Sequence, residues 1–123
     1  MAIPILKLGS YLIATFQSEL TDADLVGLRS ELASKIGDHR SRGVIVDVTA
    51  ADVMDSFTIR TLLDIAQVGR LRGAETVIVG LKPDVAFAMV QLGLRLEGVA
   101  TALDLEEGKA ILDRQVRSLA DAG

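Results

Sequence analysis

The segment VIVDVTAADVMDSFTIRTLLDIAQVGRLRGAETVIV, residues 44–79, holds two β-branched runs around a helical pattern. Val44-Ile45-Val46-Asp47-Val48 is short and continuous, the mark of a central strand buried on both faces. Thr76-Val77-Ile78-Val79 reads the same way. Between them, residues 55–72 place Ile59, Leu62, Leu63 and Ala66 on an inner helical face and Arg60, Asp64, Gln67 and Arg70 outward. Gly73 closes the helix, as glycine does past helix ends. Two buried strands joined through a helix imply a crossover between parallel neighbours.

Toward the N-terminus, residues 3–8 form a β-prone run broken by Pro4, which suits an edge because proline cannot donate to a ladder. Gly9-Ser10 reads as a tight hairpin, and residues 11–16 as a second strand. Thr21 is placed to cap a helix whose first turn carries Asp22 and Asp24. Leu25, Leu28, Leu32 and Ile36 line that helix, and Gly37-Asp38 is expected to end it. Toward the C-terminus, Pro83 fits a first helical turn, Val85, Met89 and Leu92 its inner face, and Gly93 its end. Residues 99–102 read as a weaker strand. Asp104 and Glu107 resemble a capping box for a last helix with Ile111, Leu112 and Leu119 on its apolar stripe. The order β-β-α-β-α-β-α-β-α predicts an α/β fold, with a mixed, mostly parallel sheet of about five strands and about four helices. Residues 1–123 are expected to form one domain.

Composition narrows the function. The net charge of −4 and only three Phe, one Tyr and no Trp argue against nucleic acid, which calls for a basic face and stacking rings. No apolar run is long enough for a membrane span, and Met1-Ala2-Ile3-Pro4 does not open a signal peptide. Absence of cysteine excludes disulfides and thiol catalysis and fits a cytoplasmic setting. His39, the single histidine, lies in a polar stretch and reads as solvated. No metal site, cofactor or catalytic residue is expected, and Val79-Gly80-Leu81-Lys82 lacks the repeated glycines of a phosphate loop. Glu106 and Glu107 are accounted for by the helix dipole, and Arg70, Arg72 and Lys82 as solvated charge.

One segment stands apart: Asp52-Val53-Met54-Asp55-Ser56-Phe57-Thr58, between the central strand and its helix. A purely structural use is open: Asp55 or Ser56 caps the helix, Val53 and Met54 plug the core, and Phe57 packs on the sheet edge. A functional use keeps the cap. Ser56 would project beyond the C-terminal end of the strand, where open α/β sheets keep their sites. A phosphate there adds about −1.5 to −2 charge, which the helix N-terminus tolerates. A partner docked beside Asp52 and Asp55 would not tolerate it.

Val53-Met54-Asp55-Ser56-Phe57 resembles the Asp-Ser phosphorylation motif of the STAS-domain anti-anti-sigma family. The strand over residues 43–48 and the tail from Val90 to Leu105 resemble the RsbS-type small subunits of the stressosome within it. The likeness runs over nearly the whole chain. It implies the STAS fold and a scaffold without catalysis of its own. It further implies a phosphorylation site at Ser56 and a switch interface at Asp52, Asp55 and Phe57. The implied partners are a switch serine/threonine kinase, a sensor-domain STAS co-antagonist and a phosphatase, in a large hetero-oligomer. Phosphorylation of Ser56 would help release the kinase. Asp-Ser is followed here by Phe57-Thr58, where free anti-anti-sigma factors carry a small residue and glycine, which favours the stressosome subgroup. Thr58 is a secondary phosphorylation candidate, and Thr61, further into the helix, is harder to reach.

Two alternatives stand beside this one. The chain could be a free anti-anti-sigma factor binding an anti-sigma kinase one to one, or a ligand-binding STAS-like protein with a groove near Asp55 and Pro83. A mean hydropathy of +0.39 is compatible with apolar surface left for self-association and equally with a generous core.

Overall fold

The computed structural model describes residues 3–94 and 98–122, the last four by backbone alone. The Leu119 side chain and residues 95–97 of the tail quoted above lie outside the described residues. The element order is β1 (Ile5–Leu8), β2 (Tyr11–Thr15), α1 (Asp22–His39), β3 (Gly43–Asp47), α2 (Ser56–Leu71), β4 (Glu75–Val79), α3 (Pro83–Gln91), β5 (Ala100–Ala102) and α4 (Leu105–Ala122).

The strands lie in the order β1-β2-β3-β4-β5. β1 pairs antiparallel with β2 across the Gly9-Ser10 hairpin, Leu8 opposite Tyr11, and all later neighbours are parallel. This is the mixed, mostly parallel sheet expected from the sequence. β1 is the edge strand that Pro4 forecast.

Alternation along the strands divides the interior in two. Leu12, Ala14, Val44, Val46 and Ile78 point to the side covered by α1, α2 and α3. Tyr11, Ile45, Val77, Val79 and Ala102 point to the side covered by α4 through Leu112. β3, in the middle, is buried on both faces, which is why its sequence is continuous rather than alternating. Among the described residues, no helix is long and apolar enough to cross a membrane.

Local expectations are met or corrected for visible reasons. Thr21 forms a full capping box with Asp24, and the Glu107 N–H donates to Asp104 at 2.8 Å ahead of α4. α1 runs past Gly37-Asp38 and includes His39, with Arg40 taking the left-handed cap at φ 49°. Gly37 serves another purpose: a Cβ there would lie 2.1 Å from the Arg72 guanidinium, which covers that turn. Leu92 is the C-cap of α3 and is exposed, so the inner face of that helix is Val85 and Met89. On α2, Ile59, Leu62 and Ala66 are buried as expected, Leu63 is half-buried, and Ile65 joins the core.

Candidate functional site

Because β2 to β5 are parallel, the loops that follow them emerge at one end of the sheet, where open α/β folds place their sites. The β3–α2 loop, residues 48–55, carries the segment singled out above. Its path starts at Asp47, whose Oδ1 accepts the Thr49 N–H at 3.0 Å and the Thr49 hydroxyl at 2.6 Å. This side-chain turn bends the chain off the strand. The Ala51 N–H then donates to the Val48 carbonyl at 3.0 Å.

A second strap comes from β4. Gly80 sits at φ +80°, and a Cβ there would fall 2.0 Å from Thr49 Oγ1, so only glycine lets the two loops approach. Two residues later the Lys82 ammonium donates to the Thr49 carbonyl and pairs with Asp52 at 3.4 Å. Gly80, Lys82, Thr49 and Asp47 thus hold the β3–α2 loop, and none was singled out as a site residue from the sequence. A glycine two residues before a lysine at the end of a buried strand was their one signal. Arg70, Arg72 and Lys82, expected to be solvated charge, are each engaged. Arg70 is spent on the Gly98 carbonyl at 2.5 Å and on Glu75 at 3.5 Å, and Arg72 lies over Gly37.

The end of the loop caps α2. Asp55 is extended, at φ −81° and ψ 176°, and its Oδ1 accepts both the Thr58 N–H and the Thr58 hydroxyl at 2.8 Å. These bonds, the backbone one foremost, hold the Asp55 carboxyl below the usual carboxylate range. Ser56 is the first helical residue and is exposed. Among the described residues no hydrogen bond engages its hydroxyl. Thr61 is buried, and its hydroxyl donates to the Phe57 carbonyl at 2.8 Å. Of the three hydroxyls in the first turns of α2, the one on Ser56 is unengaged.

The apolar neighbours separate. Met54 is buried at 8% exposure, but Val53 stands 87% exposed and Phe57 37%, so Val53 does not plug the core. Val53 instead lines an open groove of about 560 Å³ between the β2–α1 and β3–α2 loops. Phe16, Leu20 and Met54 give it apolar walls, while Glu19 and Asp55 add acidic character. Pro83 lies outside this groove, so the ligand groove expected near Asp55 and Pro83 takes a different course. Of the site residues expected from the sequence, Asp55 and Thr58 line this groove, while Asp52, Ser56 and Phe57 share the same loop and first turn without lining it. Among the described residues, no group of three His, Cys, Asp or Glu side chains is placed to hold a metal ion.

Comparison with known proteins agrees with this geometry. The chain is 30% identical to the RsbT co-antagonist protein RsbRA of Bacillus subtilis over 97% of its own length and 48% of that protein's, so it spans about half of that relative. It superposes on a serine-to-glutamate variant of RsbS from Moorella thermoacetica with a TM-score of 0.83 and 34% identity, covering 94% of this chain and 97% of that one. A chain from a structure of the stressosome, described as a signal integration and transduction hub, matches with a TM-score of 0.81 and 35% identity, covering 93% and 99%. The family model described as STAS domain matches residues 2–108. With the sheet order, the helix-capped Asp-Ser segment and these relatives in agreement, the chain belongs to the STAS-domain family.

Proposed function

We propose that the protein is a phospho-regulated STAS scaffold that helps sequester a switch serine/threonine kinase in a stressosome-type complex and releases it when Ser56 is phosphorylated. The observation that carries this reading is the exposed, unengaged Ser56 hydroxyl at the first residue of α2, next in sequence to Asp55, which lines an open acidic and apolar groove. A kinase can reach that oxygen without unfolding any element. The added dianion sits at the positive end of α2, where the fold accommodates it. A partner seated over Val53 and Phe57 meets instead about −1.5 to −2 of new charge beside the Asp55 carboxylate. The fold survives and the interface is lost. The relatives' names support the partner class: a co-antagonist of RsbT, and stressosome components. In this reading the sensor-domain STAS co-antagonist supplies the input, a phosphatase resets Ser56, and the assembly works in the cytoplasm.

The test is capture of the cognate switch kinase by the purified protein, followed by co-elution and by binding isotherm. Ser56→Asp is expected to weaken capture at least tenfold while the melting temperature stays within a few degrees of wild type. Capture that survives the substitution unchanged removes the switch from Ser56.

A further inference from the structure

We propose that Asp55 is a positioning residue that confines phosphorylation to Ser56 by keeping the neighbouring Thr58 hydroxyl occupied. The inference rests on the reading of Ser56 as the kinase's target and adds what selects it. Phosphoryl transfer needs the acceptor oxygen to approach the γ-phosphorus of ATP in line. A bond forms from that oxygen to phosphorus as the bond from phosphorus to the bridging oxygen of ADP breaks. ADP leaves with that electron pair, and the hydroxyl proton passes to the kinase's base.

Two hydroxyls stand two residues apart in the same exposed turn, and a serine/threonine kinase accepts either chemistry. They differ in what they touch. Ser56 Oγ is exposed and unengaged. Thr58 is half-buried as a residue, and its Oγ1 donates to Asp55 Oδ1 at 2.8 Å, on the same oxygen that receives the Thr58 N–H at 2.8 Å. Those two hydrogen bonds to one carboxylate oxygen fix the Thr58 side chain against the cap. To react, Thr58 must give up the bond and rotate away, and its oxygen must then take on a phosphate next to a carboxylate. Like charge from Asp55 acts on a phosphate at either position, so the hydrogen bond that Thr58 must give up is what sets the two hydroxyls apart. The depressed proton affinity of Asp55 keeps the carboxylate charged across the physiological range. Asp55 and Thr58 also lie in the chain itself, with no partner needed, so the selection is built into the free protein.

A merely structural role for Asp55 would change stability and leave the site of modification alone. The readout is therefore the position of the phosphate. Wild type, Asp55→Ala and Asp55→Asn are incubated as full-length protein with the switch kinase, ATP and Mg²⁺, and phosphate is assigned to Ser56 or Thr58 by fragmentation mass spectrometry. Wild type is expected to carry at least nine-tenths of its phosphate on Ser56. In Asp55→Ala, Thr58 is expected to take a share at least fivefold larger than in wild type. Asp55→Asn keeps an acceptor oxygen at the same place, and its phosphate, in whatever amount, is expected to stay on Ser56. The pair Ser56→Ala and Ser56→Ala/Asp55→Ala repeats the comparison with Thr58 alone available, and the double variant is expected to gain label. Phosphate confined to Ser56 in Asp55→Ala, or absent from both positions in it, overturns the role of Asp55. Wild type without phosphate on Ser56 overturns the underlying reading instead, so the two failures are distinct.

Discussion

The proton affinities of Asp55 and Tyr11 are shifted in opposite directions, down and up, and each makes stability depend on pH in its own window. Asp55 loses its proton more readily in the folded chain because the Thr58 N–H and hydroxyl bond its anion. Its contribution is therefore present above the unfolded value near 3.8 and lost as pH falls through the lower folded value. Asp55→Ala removes the cap of α2 and is expected to cost about 1 kcal/mol in denaturant unfolding at neutral pH, with the difference from wild type closing in acid. A gap that persists unchanged below pH 3 would assign the loss to something other than the carboxylate. Tyr11 behaves conversely. Burial first, and then its 2.5 Å bond to Asp113, push its hydroxyl up to about 12 from 10.0. That stability is fully present below pH 10 and is lost as pH rises toward 12. Tyr11→Phe is expected to cost about 1 to 2 kcal/mol at neutral pH and to flatten the alkaline limb, checked by melting from pH 7 to 11. At this scale, capping was legible in the sequence because Asp55, Thr21 and Asp104 act on residues three positions away. Val53 was not: which side of a loop faces the core depends on straps from Asp47 and Lys82 that adjacent residues do not reveal.

The elements that position the site are held from two sides, and each side gives a test. Leu112 of α4 is completely buried on the far face of the sheet. Leu112→Ala is expected to cost about 3 kcal/mol in urea unfolding, since it leaves a cavity between helix and sheet. At the near end, Gly80→Ala forces a Cβ to 2.0 Å from Thr49 Oγ1 in a left-handed backbone. It is expected to cost more than 1 kcal/mol and to displace the switch loop, so kinase capture falls together with stability. Loss of stability with capture intact would separate the loop from the docking surface. Strand and helix identities were readable because continuous runs such as residues 44–48 and stripes such as Leu25, Leu28, Leu32 and Ile36 are dictated by burial periodicity. The end of α1 was misread because Gly37 is explained by a side chain 35 positions away, Arg72, and not by a turn.

Across the whole molecule, the sheet order and its two helical faces put Asp52, Asp55, Ser56 and Phe57 at one end of the sheet, where Asp55 lines a groove that no single element contains. The family resemblance named the serine. The geometry adds why that hydroxyl is the available one, through bonds that occupy Thr58 and Thr61. Exposed Phe87 and Val90 on α3 and Leu6 on β1 show that part of the apolar content lies on the surface, although the sequence was equally compatible with a larger core. If the proposed function holds, the protein mixed with a sensor-domain STAS protein is expected to elute as a large complex. A species that stays small and binds the kinase one to one would point to a free anti-anti-sigma factor. The most direct measurement is phosphate mapping after incubation of the wild-type protein and Ser56→Ala with ATP, Mg²⁺ and the switch kinase. The account predicts phosphate on Ser56 in wild type and its loss in the variant. Wild type left unmodified, with the sensor partner present, would contradict it.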